Sequence, residues 1–332
     1  MFNAKFLLTI SLLLSFPLLF LFIPRILPHK RTQIQNDAVL FRRATLSGGT
    51  AVSTTNHKPK IAFLFLTNTD LHFAPLWQLF FQSNEPLYNI YIHADPSSNI
   101  TSPGGVFSGR FIAAQKTQRA HPTLISAARR LLATALLDDP LNSYFAVVSQ
   151  YCIPLHSFKY LYNSLFFKSP FPMHRSFIEI LDGEPQIWER YIARGKNVML
   201  PEVPFEQFRV GSQFFVLTQK HALVVVRDRR LWRKFKLPCL NLDSCYPEEH
   251  YFPTLLSMED PDGCTRYTLT RVNWTGSVGG HPHTYGPREI SPQLIHGLRD
   301  SNSSYSFMFA RKFSPDCLRP LMDIAEKVIF RD

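Results

Sequence analysis

Ile61-Ala62-Phe63-Leu64-Phe65-Leu66 is an unbroken apolar run in which aromatic and branched side chains follow one another without a polar interruption. A strand with one face in water alternates apolar and polar residues, so this run reads as a strand buried on both faces, as in a parallel sheet covered by helices. The flanking sequence has the matching punctuation. Residues 74–82 carry a helical pattern, residues 88–92 form a second β-rich run, and residues 124–137 are helical again. Residues 144–149 and Phe158–Phe166 repeat the strand-then-helix order, as do residues 213–217 and 219–226. Alternation of this kind predicts an α/β fold with a mixed, mostly parallel sheet flanked by helices in a single domain over residues 60–332.

Upstream of that run, residues 31–59 are polar, contain Gly48-Gly49 and many Ser and Thr residues, and read as a stem in which no core forms. Residues 6–23 are almost wholly apolar, interrupted by Thr9, Ser11, Ser15 and Pro17, and just long enough to cross a bilayer. No small-x-small cleavage site follows closely, so the expectation is a retained anchor, with residues 1–5 as a tail and 24–59 as the stem. The charges conflict on orientation. Lys5 stands alone before the span while Arg25, Lys30 and Arg31 follow it, which places the body in the cytosol by the positive-inside rule. Three sequons, at Asn99, Asn273 and Asn302, favour the lumen instead. The five cysteines show no Cys-x-x-Cys pair, which argues against structural zinc. Three of them lie within residues 239–264, close enough for a local bridge, and an odd count leaves at least one unpaired.

A formal net charge of +11 implies affinity for something anionic. No zinc-finger spacing, RNP-like run or basic helix is present, so nucleic acid is not expected as a partner. Gly-x-Gly-x-x-Gly does not follow the first strand and no Gly-x-x-x-x-Gly-Lys-Ser/Thr occurs, so dinucleotide and P-loop sites lose support. In an open α/β sheet, ligands bind outside the carboxyl ends of the strands. Asp95, at the end of Ile92-His93-Ala94-Asp95, is therefore a candidate to meet a ribose or base edge, with an Asx-turn before Pro96 as the plainer reading. Phe309-Ala310-Arg311-Lys312-Phe313 offers two adjacent cations between aromatics, suited to neutralising a diphosphate. No clean Asp-x-Asp motif is evident, so those side chains would do the work of a divalent ion. In Cys245-Tyr246-Pro247-Glu248-Glu249-His250-Tyr251-Phe252-Pro253-Thr254, Pro247 suits the first turn of a helix. Glu248 and Glu249 then sit at its N-terminus, where the macrodipole favours acids.

Taken together, the sequence resembles the core-2/I-branching glycosyltransferase family, especially its plant branch. The residues that carry the resemblance are Ser149 to Leu155, Gly211-Ser212-Gln213-Phe214-Phe215, Cys245 to Thr254, Tyr267-Thr268-Leu269-Thr270 and Phe309 to Phe313. The resemblance implies a GT-A-like catalytic domain on a type II, single-pass Golgi anchor with the body in the lumen. It also implies inverting transfer, without a divalent metal or other cofactor, of N-acetylglucosamine or a related sugar from a UDP-sugar to a glycan or glycoprotein hydroxyl, on secreted or cell-wall material. Carried over residue by residue, Glu249 matches the general base and Glu248 is left as a cap. Arg311 and Lys312 match the basic pair at the diphosphate, Asp95 the acid near the nucleoside, and Gln213 and Trp274 contacts to donor or acceptor sugar. Arg288 and His281 are candidates for a second diphosphate contact. There are departures. Gln118-Arg119-Ala120-His121-Pro122 lacks the Trp-Gly of many plant relatives, Ala128 stands where an acid is common, and Asn273 replaces a frequent Asp. They predict an altered helix beside the donor site and an unused sequon at Asn273, and they motivate the alternative of a catalytically inactive, glycan- or partner-binding relative.

Overall fold

The computed structural model describes residues 28–47, 58–168, 174–277 and 279–332. The apolar span expected over residues 6–23 lies outside them, and no helix among the described residues is long and apolar enough to cross a membrane. The chain begins with α1 (Pro28–Ser47) and β1 (Lys60–Thr67), then α2 (Ala74–Phe81), β2 (Tyr88–Ala94), α3 (Thr123–Asp138) and β3 (Asn142–Ser149). The middle of the chain supplies β4 (Ile153–Pro154), α4 (Phe158–Phe166), β5 (Ser176–Glu179), α5 (Ile187–Ile192), β6 (Val216–Thr218), α6 (Gln219–Arg227) and α7 (Trp232–Phe235). Beyond these lie α8 (Tyr251–Glu259), β7 (Cys264–Arg266), β8 (Thr270–Val272), α9 (Pro292–Arg299), β9 (Phe309–Arg311) and α10 (Leu318–Ile324).

Six strands form one sheet in the order β2-β1-β3-β6-β5-β7. The β1–β2, β1–β3 and β5–β7 pairings are parallel, and β6 runs antiparallel to both β3 and β5. This is the mixed, mostly parallel sheet that the sequence predicts. Seven of the eight β1 residues are buried, as a strand covered on both faces requires. One covering layer is aromatic. Phe63 meets Trp77 and Phe81 of α2 at ring-centroid distances of 6.1 and 4.9 Å, and the Trp77 indole N–H donates to the Cys152 carbonyl at 3.1 Å. A second, three-stranded sheet, β4-β9-β8, brings the Arg311 end of β9 beside the loop that follows β3.

Two expectations need correction. The segment expected as a polar stem without a core contains α1, and this helix packs on α3 and α6. Its residues Asp37, Leu40, Phe41 and Ala44 recur at helical spacing and share one face. Ala44 is fully buried, Phe41 lies 4.8 Å from the Arg129 guanidinium, and Asp37 makes a bidentate pair with Arg130. Secondly, α3 is a regular 16-residue helix, and Ala128 is simply buried in it.

Candidate functional site

The carboxyl ends of β1 and β3 meet at one edge of the sheet, where Gln150 Nε2 donates to Asn68 Oδ1 at 2.7 Å. A cavity of about 220 Å³ opens there. It is bordered by Thr67 and Asn68 after β1, Gln150 and Tyr151 after β3, Thr117 to Arg119 before α3, Glu248 and Glu249, Gln213, Trp274, Gly280 to Pro282, and Arg311 with Lys312. A second cavity of about 480 Å³ adjoins it and shares Gln213, Phe214, Glu249, Trp274 and Arg311. Its further walls include Glu179, Arg190, Arg271 and Phe307.

The acidic turn between the two cavities is built by local rules. Tyr246 takes a left-handed φ of 35°, Pro247 follows, and Pro247–Glu249 closes as a single 3-10 turn before α8. The Cys239–Cys245 disulfide braces the residue just before Tyr246, which is the local bridge that the cysteine spacing allows. Among the described residues Cys152, Cys264 and Cys317 are free and buried. From the other side, the Gly211 amide donates to the Glu249 carbonyl at 2.8 Å. Only glycine fits at 211, because a Cβ there would lie 2.0 Å from the Glu179 carbonyl oxygen.

Within this turn the two acids have different surroundings. Glu249 is partly exposed, borders both cavities, and pairs through Oε2 with Arg190 Nη1 at 2.8 Å. Glu248 does not cap a helix as expected. Its side chain is buried, and one oxygen accepts the Ala120 amide at 3.1 Å while the other has no hydrogen-bond partner. Burial raises its pKa to about 7, and the neighbouring Glu249 charge acts in the same direction. Arg194 attracts it electrostatically, itself buried 5.0 Å from the Phe235 ring.

The basic pair faces the same cavity. The Arg311 guanidinium lies 4.3 Å from the Phe214 ring centre and the Lys312 ammonium 4.5 Å from that of Tyr151. Both rest on aromatic faces rather than on carboxylates. Burial lowers the pKa of each, and for Lys312 the Arg311 charge adds to the effect.

Of the sequence-predicted site residues, Glu249, Gln213, Trp274, His281, Arg311 and Lys312 line this cavity together. Trp274 is 55% exposed, so it is a wall of the cavities rather than part of the core. Asn273 Oδ1 accepts the Thr275 amide, a local turn at the rim. Asp95 and Arg288 are not brought to the cavity. Asp95 is buried, and its oxygens accept from the amides and hydroxyls of Ser97 and Thr117. Burial alone would raise its pKa, but those four bonds outweigh it and hold the value at about 2. Asp95 therefore fixes Thr117, which does line the cavity. Arg288 is exposed on the Pro287–Glu289 turn. The Asp-x-Asp spacing in the sequence, Asp260-Pro261-Asp262, borders neither cavity, and Asp260 is engaged by Lys220 and His221.

Arg119, Arg190 and Tyr246 border the cavities without having been singled out as ligands. Arg119 lies in the departure at Gln118 to Pro122 and Tyr246 in the Cys245 to Thr254 segment, while Arg190 carries no sequence signal. Residues 61–299 match the family described as Core-2/I-branching enzyme. The chain is also 30% identical over 317 residues to glycosyltransferase BC10 of Oryza sativa subsp. japonica, an alignment covering 80% of this chain and 76% of that protein.

Proposed function

Since the chain belongs to the Core-2/I-branching enzyme family, a family of glycosyltransferases, we propose that it transfers a sugar from a UDP-sugar to a glycan hydroxyl with inversion. The donor is N-acetylglucosamine or a related sugar. The observation that carries this reading is the position of Glu249 on the wall between two adjoining cavities, with Arg311 bordering both and Lys312 bordering the smaller. The smaller cavity, at the strand ends, takes the nucleotide, and the larger one takes the acceptor. Glu249 removes the proton of the acceptor hydroxyl as its oxygen forms the new bond to the anomeric carbon. The bond from that carbon to the diphosphate breaks on the opposite face, and its electron pair leaves with UDP. Arg311 and Lys312 stabilise the charge that develops there, without a divalent ion. Trp274 offers an exposed indole face to a sugar ring at the junction.

On this reading the body lies in the Golgi lumen, behind an anchor at residues 6–23. The Cys239–Cys245 disulfide supports an oxidising compartment.

The test uses the full chain in detergent with a panel of UDP-sugars and glycan acceptors. UDP release is expected for one donor class, and Glu249→Gln is expected to lower the rate by roughly 10²–10⁴-fold with UDP affinity nearly unchanged. No UDP binding and no release across the panel would overturn the reading in favour of an inactive relative.

A further inference from the structure

We propose that Arg119 is a third cationic ligand of the donor diphosphate, acting with Arg311 and Lys312. The inference rests on the donor site assigned above.

Arg119 stands in the turn that leads into α3, followed by Ala120 at a left-handed φ of 55°. That turn carries the side chain to the cavity wall, opposite the loop of Gly280 and His281. Arg119 Nη1 donates to His281 Nε2 at 2.6 Å and Nη2 donates to the Gly280 carbonyl at 3.0 Å. The guanidinium also lies 5.7 Å from the Tyr246 ring centre. Gly280 takes a left-handed φ of 68°, a conformation glycine adopts without strain, and this turns its carbonyl toward Arg119.

All of these partners are uncharged. As a hydrogen-bond acceptor, Nε2 carries no proton, so His281 meets Arg119 as a neutral ring. Burial, Arg119, Lys312 and Arg311 all lower the His281 pKa, which keeps it so at neutral pH. Glu248 lies close enough for the Arg119 charge to lower its pKa, but its hydrogen-bonded oxygen is taken by the Ala120 amide and makes no ion pair with Arg119. Among the described residues Arg119 is thus a cation without a carboxylate ion-pair partner, in a cavity where Arg311 and Lys312 also rest on rings.

Three such charges repel one another until an anion enters. Arg119 lowers the pKa of both Arg311 and Lys312. A diphosphate relieves this repulsion, and a guanidinium retains N–H donors beyond the two engaged by Gly280 and His281. Neither a fixed loop contact nor a solvated surface charge requires three cations on one cavity that, among the described residues, make no ion pair.

The full chain in detergent is titrated with UDP, UMP and uridine, before and after Arg119→Gln and Arg119→Lys. Arg119→Gln is expected to weaken UDP binding at least tenfold and UMP less, leaving uridine unchanged, and to flatten the salt dependence of UDP binding. Arg119→Lys, which keeps the charge, is expected to recover most of the loss. Equal UDP affinity in Arg119→Gln and the parent overturns the proposal while leaving the donor site standing, whereas a parent that binds no UDP overturns the donor site itself. A parallel loss of uridine binding assigns Arg119 to holding the loop and also overturns the proposal. If Arg119→Gln does not fold, Arg119→Met is compared with Arg119→Lys, and equal UDP affinity in the two is the overturning result.

Discussion

Glu248 has a usual carboxyl pKa of 4.5 when unfolded and about 7 in the folded protein, because burial disfavours its charge. The folded state therefore binds more protons than the unfolded one across that interval. Its contribution to stability is present below pH 4.5 and is lost as pH rises through 7, on the order of 3 kcal/mol in all. Glu248→Gln should remove this slope, so its melting temperature relative to the parent should improve steadily between pH 5 and 8. A constant difference across that range would mean that Glu248 is not the titrating group. The neighbour Glu249 was legible in the sequence because an acid after Pro-Glu, in an aromatic segment shared with a known family, has a defined place. The places of Arg119 and Arg190 on the cavities were not legible, even though Arg119 sits in a segment marked as a departure, since an arginine gives no sign of which loop it will face. The site came together only when the turn before α3 and the helix α5 were placed against Tyr246, which both cations approach.

Elements with strong periodicity were legible to within a residue or two. Phe158–Phe166 coincides with α4, and the apolar run from Ile61 lies within β1. The run at 213–217 was less so, because only Val216–Thr218 pairs as strand. Gly211 and the residues after it pass under the backbone of Glu179 and Glu249, and such a close approach leaves no repeating pattern. The turn before α3 is a second case. Ala120 occupies a left-handed position that favours glycine. Ala120→Gly should stabilise the chain by about 1 kcal/mol, read as a raised denaturation midpoint with an unchanged denaturant slope. A lowered midpoint would show that the turn holds its shape for reasons other than local sterics.

At the scale of the whole molecule, α1 is the largest departure from expectation. Its polar composition reads as a linker, but a short stripe of Leu40, Phe41 and Ala44 with Asp37 suffices to dock it. The Arg130 side chain is only 5% exposed under that helix, so Asp37→Asn leaves a buried charge with a weakened partner. The expected loss is up to about 3 kcal/mol, read as a lower melting temperature of the full chain. An unchanged melting temperature would mean that α1 is not docked in solution. A different consequence follows from the five residues that border both cavities. A molecule seated on one side of Glu249 and Trp274 supplies part of the surface met by a molecule on the other. Two reactants sharing such a partition must be present together. Initial-rate lines for one, drawn at several fixed levels of the other, should then intersect. Parallel lines would reveal a protein that finishes with its first partner before greeting the second.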